Sequence, residues 1–288
     1  MGRIPEIASS TPLRLRSPFG SLSAKDTIMK ELKFLLAVWK ANLLSAMEYR
    51  AAFLSQAIGM IVNDFMYFVI WIIFFDRFKD VRGWDIHDMY LTYGVLASSF
   101  GLVSLLFGNA FNLSDIISKG RLDYYLSFPR PVLLHAVSSR MIASGMGDFT
   151  YGFISYALSG YFTWDGLARF MLATVLAAAV FAAFLILIQS LAFWLGMVSN
   201  LSALALNAML TFGIYPITLF DNYAKLILFT LIPAALMGAV PAEFIRAFTW
   251  QSLAELLVGA VIFLLIAVSV FRLGLKRYES GSAIQVEV

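Results

Sequence analysis

The sequence lacks several residues and motifs whose absence narrows the possible functions. Cysteine does not occur among the 288 residues, which excludes disulfides, thiolate metal sites and cysteine nucleophiles. Histidine occurs only at His87 and His135, both near loop positions and neither in an H-E-x-x-H motif. The phosphate-binding pattern G-x-x-x-x-G-K-[ST] is missing, so we do not expect this chain to bind and hydrolyse ATP through that motif. An enzyme is therefore disfavoured, and no catalytic residue, metal site or cofactor is predicted on this chain.

Charged residues are also scarce, and long apolar stretches take their place. They make up 14% of the chain against 60% hydrophobic residues, whereas about a quarter of a soluble domain is charged. A chain this apolar cannot cover its surface with polar groups, so much of that surface must face lipid. A helix needs about 20 apolar residues to cross the hydrocarbon core. We therefore predict an all-α, multi-pass protein of the cell membrane with six transmembrane helices, at residues 51–75, 89–111, 141–162, 170–198, 203–220 and 253–271.

Three further segments are predicted to lie outside these spans. Residues 29–49 repeat Leu and Trp at helical spacing with Lys on the other faces, which is typical of an amphipathic helix in the membrane interface. Residues 225–240 are apolar but short, and Pro233 interrupts them, so we interpret them as a re-entrant segment on the outer side. Residues 1–28 are expected to form a flexible tail before a single transmembrane domain at residues 29–288.

The distribution of Lys and Arg predicts the orientation in the membrane. With six spans, fifteen of these residues lie on the face that carries both termini and six lie on the other face. Positive residues concentrate on the cytoplasmic side of membrane proteins, so both termini are predicted to be cytoplasmic. Counting residues 225–240 as a seventh span would put the termini on opposite sides. The positive residues flank apolar spans and do not alternate with aromatic ones, which indicates contact with membrane lipid and no nucleic-acid partner.

A few polar residues fall within the predicted spans: Asn63, Asp64, Asp148, Gln189 and Asn207. An ionisable group at membrane depth is costly and is by default a candidate functional residue. Asp64 and Asp148 could contact a substrate, or they could face other helices and be satisfied by hydrogen bonds.

The segment between the second and third spans is the most informative part of the sequence. Within residues 116–134 it reads G-R-L-D-Y-Y-L-S-F-P-R-P. Gly120 allows a turn, residues 122–128 suit a short amphipathic helix, and Pro129 would end it. A short cytoplasmic helix between two spans suits docking to a soluble partner, although an interfacial connector without a partner would have the same pattern.

This segment, preceded by a lysine-bearing amphipathic helix and followed by G-L-K-R-Y-E-S-G at residues 274–281, resembles the membrane subunits of ABC-2 type ATP-binding-cassette exporters. The resemblance covers residues 29 onward and implies a dimer of this chain or of two similar permease chains, with a separate ATPase subunit that binds ATP and Mg²⁺. It implies that residues 29–49 are the connecting helix and that residues 225–240 are the outer re-entrant hairpin. The residues that would couple the chain to the ATPase are Gly120, Arg121, Leu122, Asp123, Tyr124, Tyr125, Leu126, Phe128, Pro129 and Arg130. The residues predicted to line the substrate path are Asn63, Asp64, Phe100 and Asn207.

Two other functions remain open at the level of sequence. A stand-alone secondary transporter would use Asp64 and Asp148 to couple ion flow and would work without ATP. A membrane scaffold would show neither an ATPase partner nor transport.

Overall fold

The computed structural model describes residues 24–279, with side chains from residue 28 onward, and this part of the chain is almost wholly α-helical. Within it, the only β-type pairing is an isolated bridge between Val81 and Trp84. Residues 1–23, most of the predicted tail, lie outside the described residues, and so do the last two residues of the motif at 274–281. The final part of the predicted tail, residues 24–28, belongs to the first helix.

The helices follow one another with short connections. They are α1 Ala24–Ala46, α2 Arg50–Arg77, α3 Ile86–Phe107, α4 Leu113–Ser118, α5 Leu122–Leu126, α6 Val132–Ser138, α7 Gly145–Leu158, α8 Trp164–Ser190, α9 Ala192–Leu195, α10 Ser199–Gly213, α11 Asn222–Thr230, α12 Ala239–Arg246 and α13 Trp250–Leu275. Short 3-10 helices occur at Met47–Tyr49, Gly108–Asn112 and Ile217–Leu219.

Four stretches are long and apolar enough to cross a membrane: Ile28–Arg77, Ile86–Ser118, Trp164–Leu195 and Trp250–Leu275. They contain the first, second and sixth predicted spans and all but the last three residues of the fourth. The helices at the third and fifth predicted spans, α7 and α10, have 14 and 15 residues. At 1.5 Å per residue each is about 22 Å long, which is shorter than a hydrocarbon core of about 30 Å.

The late start of α7 and the early end of α10 have identifiable causes. Before α7 the chain is held in a non-helical turn, because the Ile142 N–H donates to Ser104 O of α3 at 2.9 Å. After α10 the chain leaves the helical conformation at Pro216, whose ψ of 130° is extended. Local hydropathy continues through both regions and did not predict the early ends, although Pro216 is itself a local signal for the end of α10.

The first long stretch is divided into α1 and α2 at Tyr49, with φ −103° and ψ 72°. This is where the interfacial segment was predicted to give way to the first span. The side chains of α1 attach it to the rest of the molecule: Trp39 Nε1 donates to Leu106 O at 2.8 Å, and Asn42 Nδ2 donates to Ser138 O at 3.0 Å.

The bundle has two ends, which we name the α5 end and the α12 end. The α5 end carries α1, α5 and α6, and Tyr278 near the last described residue lies beside Asp123 of α5. The α12 end carries the loop between α2 and α3, where Arg246 Nη1 donates to Gly83 O at 3.0 Å. The two ends of the described chain therefore lie on the same side of the bundle.

The segment that holds α11 and α12 begins and ends at the α12 end. Arg82 Nη1 donates to Thr218 O at 2.6 Å before α11, and Arg246, the last residue of α12, contacts the adjacent Gly83. Between these points Gly238 packs directly on the Gly213 carbonyl of α10. Both ends of the segment therefore lie at the α12 end, and its middle contacts α10.

Helix α3 lies at the centre of the bundle, where small residues allow close approach. A Cβ on Gly101 would lie 2.5 Å from the Phe149 backbone nitrogen of α7, and one on Gly152 of α7 would overlap Ser98 of α3. Side chains larger than hydrogen would separate the two backbones. The glycines thus set how closely α7 packs on α3 and where its polar residues lie.

Candidate functional site

A cavity of about 300 Å³ lies among α2, α3, α7 and α10. All four residues predicted to line the substrate path contribute to it, together with one further carboxylate: Asn63, Asp64, Phe100, Asn207 and Asp148. Residues far apart in sequence therefore meet at one place, and this volume is at the lower end of the range of ligand sites.

Close contact between α2 and α7 brings the two carboxylates into the same cavity. A Cβ on Gly147 would overlap the Ala57 carbonyl of α2 and lie 2.6 Å from Met60 Cβ. Because Gly147 lacks a side chain, the adjacent Asp148 reaches the part of α2 that carries Asp64, and both carboxyl groups line the same cavity. The sequence did not predict this pairing across a helix interface.

The buried polar residues fall into two groups. Both polar side-chain atoms of Gln189 form hydrogen bonds with the backbone. Its Oε1 accepts from Ser114 N at 3.1 Å, and its Nε2 donates to Phe111 O at 2.7 Å. Asp148 is only 3% exposed, yet among the described residues its Oδ2 has no hydrogen-bond partner, and neither has Oδ2 of Asp64. Buried polar groups are normally hydrogen-bonded, so unpartnered carboxylate oxygens that line a cavity mark a candidate binding site.

Aromatic rings form part of the inner wall, beside aliphatic residues such as Leu96 and Ala97. Tyr93 is held in place by Trp71, whose Nε1 donates to the Tyr93 hydroxyl at 2.9 Å, and by edge contact with Phe68. Phe100 packs against Phe181 with 5.4 Å between ring centroids. The open side is formed by exposed residues of α2 and α10, among them Asn63 and Asn207.

Tyr93 and Tyr67 also line the cavity and were not predicted from sequence. Tyr67 could have been found, because it follows Asn63 by four residues and Asp64 by three, which places all three on one face of α2. No local pattern identifies Tyr93.

The predicted coupling residues form a second site at the α5 end. Gly120 has a φ of +67°, which non-glycine residues rarely adopt, and this turn leads into α5. Leu122 is fully buried, and the Tyr125 hydroxyl lies 3.0 Å from Ser139 Oγ and accepts from Asn109 Nδ2 at 3.3 Å. These two side chains attach α5 to the bundle.

The other face of this segment is open. Tyr124 is 61% exposed, Leu126 is 43% exposed and Phe128 is 40% exposed. Arg121 and Pro129 are exposed as well. A polar cavity of about 620 Å³ beside α5 is lined by residues that include Asp115, Arg121 and Arg140. The segment thus combines an anchored face with an exposed apolar face.

Arg130 connects this segment with α1. Its Nη1 donates to Glu31 Oε1 at 2.9 Å, and its guanidinium lies 4.7 Å from the centroid of the Phe34 ring. The chain segment after Phe128 is therefore tied to the helix that precedes the first long span. Sequence spacing did not predict this contact, which joins residues 99 positions apart.

His135 is surrounded by aromatic rings. Its imidazole makes edge contacts of 5.1 to 5.2 Å with Phe34, Tyr125 and Phe128. Burial and then the positive charge of Arg130 lower the pKa of His135 below its usual value. A neutral imidazole suits this apolar cluster, which supports the turn after α5.

Comparison with known proteins identifies the family. A search of curated proteins and a search of solved structures each returned no match. The family model described as ABC-2 family transporter protein matches residues 61–282, well over half of the chain. The match includes α5 and all the cavity-lining residues except Met60, and it confirms the resemblance seen in the sequence. This chain is an integral membrane protein and belongs to the ABC-2 transporter family.

Proposed function

We propose that this chain is the permease subunit of an ABC exporter and that α5 couples it to a separate ATPase subunit, which binds ATP and Mg²⁺. The observation that carries the proposal is the two-sided structure of α5. Leu122 and Tyr125 fix the helix to the bundle, while Tyr124, Leu126 and Phe128 present apolar surface to a partner. Exposed apolar residues on a rigid support are typical of docking surfaces.

A six-span topology in the cell membrane fits the two ends of the bundle. Helix α7 starts where Ile142 contacts Ser104 and ends where His87 Nδ1 lies 3.1 Å from Ser159 O, so it passes from the α5 end to the α12 end. Helix α10 leads to Thr218 at the α12 end. With α11 and α12 as a re-entrant pair, six helices pass between the ends, and α1 lies along the interface.

The α5 end is assigned to the cytoplasm because fifteen of the 21 Lys and Arg residues belong to segments on that side. Both termini would then be cytoplasmic, and the α12 end would face outward. An ATPase that consumes cytoplasmic ATP can reach α5 only with this orientation.

The open face of α2 suits a second permease copy or a similar permease chain. Leu54, Ile58, Phe65 and Ile73 are each at least half exposed along this helix, and the cavity opens between α2 and α10. A second permease chain on this side would place the cavity at the dimer interface as part of the substrate path. ATP binding would move α5 and shift the bundle between conformations, provided ATP favours one of them.

The first test is purification of the full chain from its own host in mild detergent, with co-purifying proteins identified by mass spectrometry. We expect a phosphate-loop ATPase in near-equal amount. Repeated recovery of the chain alone would overturn the proposal and favour the stand-alone secondary transporter, to which the family match gives no support.

The docking surface itself is tested by replacing Leu126 and Phe128 with Asp. We expect loss of the ATPase from the purified complex with normal membrane insertion, because two carboxylates would be buried in an apolar contact. The matched control is Leu219→Asp with Phe78→Asp, since these residues are 41% and 54% exposed and lie at the α12 end. Equal ATPase recovery in both double variants would remove α5 as the docking site.

A further inference from the structure

We propose that the cavity among α2, α3, α7 and α10 binds a small organic cation that carries an apolar group, with Asp64 and Asp148 facing its positive charge. This inference rests on the proposed function in placing the cavity on the transport path. It adds the substrate class, which the family match does not give.

The two carboxyl groups in the cavity have no basic side chain beside them, since among the described residues that line it there is no Lys, Arg or His. Asp148 is almost fully buried, and its Oδ2 and that of Asp64 lack hydrogen-bond partners within the described chain. Asp148 also lies in the first turn of α7, where the positive end of the helix dipole stabilises a carboxylate. A bound cation would supply the missing partner to both groups.

The other lining residues favour an organic cation over a metal ion. A hard metal ion requires several oxygen ligands, commonly six or so. In the part of the chain that the structure describes, no three acidic or His side chains come together as a metal site. The cavity wall instead includes the rings of Tyr67, Tyr93 and Phe100. Aromatic rings attract organic cations such as quaternary ammonium groups and also bury their apolar parts.

The arrangement of the cavity also gives the ligand an orientation. Asp148 and Tyr93 lie at the buried inner side, and Asn63, Tyr67 and Asn207 lie at the exposed side. The charged part of the ligand would therefore lie deepest, next to α7, and its remainder would extend towards α10 and the open face of α2.

The experiment is calorimetric titration of the full chain, purified in non-ionic detergent, with benzyltrimethylammonium and with benzenesulfonate. These aromatic probes are of similar size and opposite charge. We expect the cation to bind and the anion not to bind. We expect Asp148→Asn and Asp64→Asn each to weaken cation binding by about tenfold or more, because each removes a carboxyl group that would carry the charge opposite the bound cation. Asp76→Asn is the control, since its side chain is 87% exposed outside the cavity.

Equal binding of the two probes would overturn the inference, as would absence of cation binding. Unchanged cation affinity in both Asp64→Asn and Asp148→Asn would also overturn it, and the two variants together guard against a folding defect in one. The measurement uses neither ATP nor the ATPase. Failure to recover an ATPase would therefore contradict the proposed function while leaving cation binding intact, and the two failures can be told apart.

Discussion

At the scale of single residues, a glycine determines where a buried carboxyl group lies. Gly147 touches the backbone of α2, and the next residue, Asp148, thereby reaches the cavity that Asp64 lines. Gln189 is as buried as Asp148, at 3% exposure. Its side-chain oxygen and nitrogen, however, both form hydrogen bonds with backbone atoms near the α5 end. The candidate functional residues therefore differ from the structural polar residues in lacking hydrogen-bond partners for some of their buried atoms. The residue type alone does not reveal this difference.

A single methyl group tests the role of Gly147. We expect Gly147→Ala to destabilise the protein by about 1–3 kcal/mol, because its Cβ would meet the Ala57 carbonyl and force α7 away from α2. Cation affinity should fall as well. Thermal unfolding in detergent and calorimetric titration are the measurements.

Gly59→Ala is the matched control. Gly59 lies on α2, the helix that Gly147 contacts, and no atom lies within 4 Å of the added Cβ. Its stability should change by less than about 0.5 kcal/mol. Similar unfolding temperatures for the two variants would show that the α2–α7 contact does not require glycine.

At the scale of elements, side-chain contacts at the α5 end join α1, the turn after α5 and the rest of the bundle. Helix α1 is attached through Trp39 and Asn42, and the turn after α5 is attached to α1 through Arg130 and Glu31. Movement of α5 by a docked partner would therefore reach α1 through contacts that are present in the folded chain. A short helix with only one or two anchoring residues would otherwise move independently of the bundle.

The ion pair between Arg130 and Glu31 is tested by a double-mutant cycle. We expect Arg130→Glu and Glu31→Arg each to lower the unfolding temperature and the double exchange to recover part of the loss. The coupling should be about 1 kcal/mol, since both side chains are partly exposed, at 32% and 22%. Strictly additive effects would show that the pair does not hold α1 to the turn.

At the scale of the whole molecule, the pattern of attachments defines two sides. The loop between α2 and α3 holds both ends of the α11–α12 segment through Arg82 and Arg246. The ends of the described chain, by contrast, lie with α5. The cavity lies within the bundle between these sides, which is the placement that alternating exposure to the two sides of a membrane requires.

The absence of cysteine makes the orientation directly measurable, because an introduced cysteine is the only thiol. We expect a membrane-impermeant maleimide to label Tyr223→Cys in intact cells and Tyr124→Cys only after permeabilisation. Both native side chains are well exposed, at 82% and 61%, so accessibility within the protein does not limit labelling. The reverse pattern would invert the proposed orientation, and labelling of both in intact cells would contradict the assignment of the two sides.

The sequence by itself determined the class of this protein. Composition and uninterrupted apolar runs are local properties, and they sufficed for an all-helical membrane protein and for the four long stretches. The family was indicated by the resemblance of the motifs after the second span and at residues 274–281, which the family match confirms. The short helix at α5 followed from Gly120 and Pro129, whose backbone restrictions are also local. The break at Tyr49 lies at the predicted boundary between the interfacial segment and the first span for a similar reason, since amphipathic periodicity ends there.

The tertiary structure alone decided what depends on contacts between distant residues. It delayed the start of α7 through a backbone bond between Ile142 and Ser104, whereas the end of α10 at Pro216 follows from a local restriction. It also separated the anchoring residues of α5 from the exposed ones, and it placed Asp64 beside Asp148 while Gln189 found backbone partners. Hydropathy assigns each residue a cost of burial but not a neighbour, and the neighbour determines whether a buried carboxylate is structural or is left open to a ligand.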